Sequence, residues 1–88
     1  MAVFRWSPFK SKWLLLSRGA SFEDITENGR HLGSWRHPTR NNQHMMLFEY
    51  KEYIWVAPYI LDETGVFLKT LYPSRKFTKL FRKGRLTR

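Results

Sequence analysis

The 88-residue chain has no cysteine, which excludes a disulfide scaffold and any thiolate zinc centre and fits a reducing compartment. It also has no apolar run near the roughly 18–20 residues a bilayer span needs, so no membrane partner is expected. Met1-Ala2-Val3-Phe4-Arg5-Trp6 lacks the extended apolar stretch of a secretory signal, which makes the cytoplasm the expected address. Acid is scarce: 7 Asp and Glu stand against 16 Lys and Arg, for a net charge of +9 with histidine neutral. From residue 69 onward there is no acid at all, while Lys69, Arg75, Lys76, Lys79, Arg82, Lys83, Arg85 and Arg88 are all cationic. That imbalance is the compositional footprint of a polyanion binder, and by itself it identifies no activity.

What is present argues for a folded domain. At 42% hydrophobic and 17% aromatic residues the chain is too apolar for a disordered polybasic tail. Without a repeat, linker or low-complexity tract, residues 1–88 read as one domain, with residues 84–88 expected to fray. Residues 9–18 place Phe9, Trp13 and Leu16 at i, i+4 and i+7, and Gly19 can end that helix. Ser21-Phe22-Glu23-Asp24 reads as an N-cap with an acid three positions on, opening a short second helix that stops near Asn28-Gly29.

Residues 30–43 turn polar and read as loop, with at most one short strand around residues 32–37. Residues 45–50, 53–60 and 66–72 are rich in aromatic and β-branched side chains, as three antiparallel strands would be. Gly65 suits the second turn because it tolerates a positive φ; Lys51-Glu52 is a poor primed hairpin turn. Pro58 lacks a ladder donor, so its strand should bulge there or be unpaired on one side. The expected class is α+β: two N-terminal helices, a three- to four-stranded antiparallel sheet and a basic C-terminal helix.

That last helix carries the clearest chemistry. At about 100° per residue, Phe77, Leu80 and Phe81 share one face while Arg75, Lys76, Lys79, Arg82 and Lys83 gather opposite. Arg75 and Lys76 would oppose the helix dipole, which a helix selected for stability alone avoids. With Ser74 and free N–H groups at the helix start they form a phosphate cradle. Lys69, Ser74, Lys79, Arg82 and Lys83 are the candidate nucleic-acid contacts.

His31, His37 and His44 lie in or beside the polar stretch, where an imidazole can act as acid or base at a ribose or a leaving oxygen. Their separations match no metal motif, so no metal or cofactor is expected. Glu49 and Glu52 fall on opposite faces of a regular strand, which argues against a carboxylate pair. Tyr53, Trp55 and Tyr59 alternate onto one face, available either to the core or to stacked bases. Tyr50, Tyr53, Tyr59 and Tyr72 are candidate phenols at a phosphate, with nothing in the sequence to choose among them.

Two segments carry a resemblance. Phe4-Arg5-Trp6-Ser7-Pro8-Phe9-Lys10 followed by Arg18-Gly19-Ala20-Ser21-Phe22-Glu23-Asp24-Ile25 resembles the opening of BrnT-type toxins, in which F-x-W-D-x-x-K precedes a G-[VI]-S-F-E-[DE] helix start. Phe67-Leu68-Lys69-Thr70-Leu71-Tyr72-Pro73-Ser74-Arg75-Lys76-Phe77-Thr78-Lys79 is similar to that family's last strand entering its S-[AR]-R-[KR]-x-T helix. Ser7 stands where such chains commonly carry Asp, and residues 80–83 lack their Glu-Arg.

The resemblance implies a RelE-like fold and a cytoplasmic endoribonuclease toxin of a type II toxin–antitoxin pair, cutting RNA without metal and inhibiting translation. It also implies a small antitoxin partner, of ribbon-helix-helix type, whose complex with the toxin binds DNA. In that picture Arg75 steadies the phosphorane charge and Lys76 and Ser74 position phosphate; the resemblance assigns no general base, and His37 and His44 are the acid–base candidates by residue type alone. The competing expectations are a noncatalytic nucleic-acid binder and a protein-targeting or DNA-cleaving toxin on the same fold.

Overall fold

A computed structural model of the chain describes residues 4–36 and 44–86. The elements run β1 (Phe4–Arg5), α1 (Pro8–Arg18), α2 (Phe22–Asn28), β2 (Arg30–Arg36), β3 (His44–Tyr50), β4 (Tyr53–Asp62), β5 (Gly65–Leu68), β6 (Tyr72–Pro73) and α3 (Arg75–Arg82). Among the described residues the fold is α+β with three helices. Its sheet is larger than expected and mixed: six strands in the order β1-β5-β4-β3-β2, with β6 also on β4, and with β1 parallel to β5.

Each helix starts where a side chain can satisfy its free N–H groups. Ser7 accepts from the Lys10 N–H, and Pro8 occupies the first helical position, where its missing donor costs nothing. Gly19 closes α1 at φ 90°, giving its N–H to the Leu14 and Leu15 carbonyls. Ser21 and Asp24 form a reciprocal capping box on α2.

The sheet separates two cores. On one face α1 and α2 pack Leu14, Phe22 and Ile25 against Met46, Phe48, Trp55, Ala57 and Tyr59. On the other, Phe77 and Phe81 of α3 cover Met45, Leu47, Ile54 and Val56. Strand residues of opposite parity serve the two sides, so β3 and β4 are apolar on both. Trp55 and Tyr59 are buried, which leaves their rings no role in stacking bases. Leu80 is only half-buried, and Phe77 and Phe81 make the docking contacts on this side.

Pro58 explains why the third expected strand is broken. Its carbonyl accepts from the Lys69 N–H, and the missing donor faces the same side, between β5 and β6. The pairing with β3 continues through Met45 opposite Pro58 without a bulge. At the near end of β4, Ser74 N–H donates to the Ile54 carbonyl, and Ile54 N–H donates to Thr78 Oγ1, which donates in turn to the Ser74 carbonyl. Thr78 is buried, so Thr78→Val strands the Ile54 N–H and is expected to cost about 1–3 kcal/mol in urea unfolding, with Thr78→Ser closer to wild type.

The β3–β4 turn uses both unfavoured residues, with Lys51 at φ 51° and Glu52 at φ 64°. Left-handed backbone at two residues with a Cβ is a local strain, and Asn-Gly adopts it readily. Lys51→Asn with Glu52→Gly should raise unfolding free energy by about 1 kcal/mol, read from the urea midpoint.

At the β4–β5 turn, with Gly65 at φ 122°, the Asp62 carboxylate takes the Thr64 hydroxyl and N–H and pairs with Arg5 at 2.7 Å. The Thr64 hydroxyl first, then its N–H and Arg5, hold this carboxyl down from the usual 3.8 to about 2. Because the folded value is the lower one, the clip's contribution is complete above the unfolded value and is lost as pH falls through about 2. Asp62→Asn should therefore flatten the acid side of a stability–pH curve between about pH 4 and 2, measured by circular dichroism.

Past α3 the chain does not leave the fold at once. Gly84 N–H donates to the Phe81 carbonyl, Arg85 N–H to that of Leu80, and Leu86 packs on the second core. Contacts thus continue into the tail expected to fray.

Candidate nucleic-acid interface

Arg75, Lys79, Arg82 and Lys83 stand at i, i+4, i+7 and i+8, which puts them on one side of α3 while Phe77 and Phe81 face the sheet. Together with Tyr53 and Thr78 they line a concavity of about 340 Å³ beside the start of β4. Arg82 is steadied by donating to the Glu52 carbonyl at 3.2 Å, which ties it to the hairpin turn. Among the described residues, the ion pairs are Arg5–Asp62 and Arg30–Glu49, and neither includes a cation of α3. Four cations therefore converge on one hollow with no carboxylate paired to them.

The helix start is more committed than the sequence implies. Ser74 Oγ accepts from the Phe77 N–H at 3.1 Å, and the Thr78 N–H is taken by the Ser74 carbonyl. Ser74 is thus the N-cap of α3, and the cations rather than a set of bare N–H groups present the positive charge. Lys76 is not among the residues that line the concavity; its ammonium lies 5.9 Å from the Phe77 ring centre. Lys69 lies alongside Pro58, three residues or roughly 10 Å along β4 from Trp55, where β6 leads into α3.

Of the histidines, His31 and His44 are not brought to this place. His44 pairs with Tyr59, their ring centres 5.7 Å apart, on the face that α1 and α2 cover. It is also six strand residues, about 20 Å, from Tyr53. His31 sits on edge strand β2 against Phe48, and His37 lies outside the described residues. Among the described residues no cluster of three His, Asp or Glu side chains is placed to hold a metal ion, and no helix is long and apolar enough to cross a membrane.

Of the four candidate tyrosines, Tyr53 is the one that lines the concavity. Nothing in the sequence singles it out, because its neighbours there come from α3, more than twenty residues away. Thr78 has the same history: its threonine-specific clasp depends on a β4 backbone group that sequence periodicity does not reveal.

The chain matches no family model, no curated protein and no solved structure. The BrnT-type resemblance therefore rests on its motifs alone.

Proposed function

We propose that the chain is a metal-independent endoribonuclease toxin that grips single-stranded RNA along α3 and cuts it at the phosphate met by Arg75. The observation that carries this reading is the row Arg75, Lys79, Arg82 and Lys83 around one hollow, free of carboxylate partners among the described residues and bordered by Tyr53. A guanidinium fork can bind two phosphate oxygens at once, and Lys79, Arg82 and Lys83 then follow the neighbouring phosphates.

In this reaction the ribose 2′-oxygen attacks phosphorus and loses its proton to water while the P–O5′ bond breaks. The Tyr53 hydroxyl supplies the proton that the leaving 5′-oxygen takes up. The products are a 2′,3′-cyclic phosphate and a 5′-hydroxyl. Arg75 stabilises the charge that gathers on the phosphorane oxygens, which is where fixed cations accelerate such a step most.

Two features support a BrnT-type, RelE-like reading. The α+β class, with a basic helix closing the chain after the sheet, is broadly compatible with the fold the resemblance implies. Ser7, where relatives commonly carry Asp, caps α1 as an aspartate would. A chain of +9 adheres to cellular RNA indiscriminately, so a neutralising antitoxin that covers α3 belongs to the same proposal.

One observation favours a second reading, a noncatalytic RNA binder: no imidazole and no carboxylate of the described residues lines the concavity, and these are the usual proton carriers. Incubating purified chain with free RNA in EDTA, followed by mapping of product ends, separates the two. Cyclic phosphate ends identify the nuclease. Intact RNA that still shifts in a gel, with affinity falling steeply in salt, identifies the binder.

A further inference from the structure

We propose that the outer face of α1 is a docking site for an amphipathic partner helix whose apolar seam is edged with carboxylates. Phe9, Trp13 and Leu16 are 89%, 49% and 79% exposed and share one side of the helix. The helix is held in the domain by its other side, through Leu14 and through Ser11, whose hydroxyl bonds Phe22 N–H and Glu23. The stripe is therefore not what holds α1 to the sheet. Its 4-then-3 spacing is that of a heptad seam, by which one helix receives another, and it differs from apolar residues scattered singly over a surface.

The charge around the stripe selects the occupant. Lys10 Nζ lies 4.6 Å and the Arg18 guanidinium 5.2 Å from the Trp13 ring centre, Lys12 is exposed on the same helix, and α1 contains no acid. Of the nearby α2 acids, Glu23 is taken up by Ser11 and Asp24 by the Ser21 cap, leaving Glu27. A second copy would bring the same cations face to face on chains of +9 each. A bilayer would meet α1 alone, because the α3 cations stand on the opposite side of the sheet, and one short amphipathic element gives only marginal membrane binding. A helix flanked by Glu or Asp satisfies both the seam and its rim. Seated there, it leaves α3 uncovered.

The test uses a synthetic labelled peptide with leucine at a and d and glutamate at e and g, and its twin with lysine at e and g, titrated with the full chain by fluorescence anisotropy. The glutamate peptide should bind and the lysine peptide should not. Phe9→Ser with Leu16→Ser should weaken binding about tenfold or more, whereas Arg75→Ala with Lys79→Ala should change it less than about twofold. Lys10→Glu with Lys12→Glu should transfer the preference to the lysine peptide. The substituted positions are exposed, apart from the half-buried Lys10, and thermal melts check that each variant folds.

No binding of the glutamate peptide overturns the proposal, as does binding abolished only by the α3 substitutions. A sedimenting wild-type dimer abolished by Leu16→Ser assigns the stripe to a second copy instead. Co-sedimentation with phosphatidylcholine–phosphatidylglycerol vesicles that depends on Phe9, without peptide binding, assigns it to a membrane.

Discussion

Arg75→Ala is expected to slow RNA cleavage about 10²–10³-fold while leaving the domain as stable as wild type or slightly more so. The two halves of that result have separate causes. Arg75 makes no ion pair among the described residues and lines the hollow from the first turn of α3, so its removal empties the site without disturbing the core. A cation at that end of a helix also opposes the macrodipole by about 0.3–1 kcal/mol, which alanine relieves. Activity and stability then move in opposite directions, as they do when a residue is kept for its chemistry.

Arg75→Lys should recover only part of the rate, because a point charge cannot reproduce the guanidinium fork. RNA affinity should fall together with the salt slope, by about 0.7 for each phosphate of a single strand that is no longer neutralised. Measured against one RNA by single-turnover kinetics and fluorescence anisotropy, wild-type cleavage by Arg75→Ala would sink the assignment of Arg75. A normal rate of cleavage in Tyr53→Phe would remove the phenol from the reaction and leave the cationic row intact.

The helix boundaries are legible in the sequence because caps are local. Ser7, Gly19, Ser21 and Asp24 each act within a few residues of themselves, and the sequence shows them directly. The cationic row of α3 is legible for the same reason, since Arg75, Lys79, Arg82 and Lys83 need only a helix to align. Strand β1 is not, because two residues carry no period; it exists only through pairing with β5 some sixty residues on. Strand β2 reads as loop with at most a short strand because it is an edge: Arg30, His31, Ser34 and Arg36 are exposed while Leu32 and Trp35 pack inward, around an irregularity between His31 and Gly33.

Histidine placement shows the limit most clearly. His44 and Arg75 are both suited to phosphate chemistry by residue type, yet the sheet puts one under α1 and α2 and the other across it on α3, at opposite ends of β4. Which face a strand residue takes depends on register, and register is settled by contacts between distant segments. Tyr53 shares its sheet face with Tyr59 and His44, so it borders the candidate site because it is the first residue of β4, beside α3, and His44 is excluded by lying some six residues further along.

Phe22→Ala should cost about 3–5 kcal/mol of stability, where Phe9→Ser should stay within about 0.5 kcal/mol of wild type. Periodicity alone ranks these residues the other way, since Phe9 heads the i, i+4, i+7 row of α1 and Phe22 is merely the first residue of a short helix. Burial reverses the ranking: Phe22 is fully enclosed and Phe9 is 89% exposed. The Phe22 ring lies 5.7 Å from Trp6 and packs in the cluster that joins α1 and α2 to the sheet, and its N–H is bound by the Ser11 hydroxyl. Deleting the ring leaves a cavity at the point where α1, α2 and the sheet meet. For a domain whose total stability is of the order of 5–15 kcal/mol, such a loss removes a large share of the margin. Urea unfolding of the two variants measures both values in one experiment, and a larger cost at Phe9 than at Phe22 would mean that α1 faces the sheet with its aromatic stripe, which would abolish the proposed docking surface along with the packing described for this core.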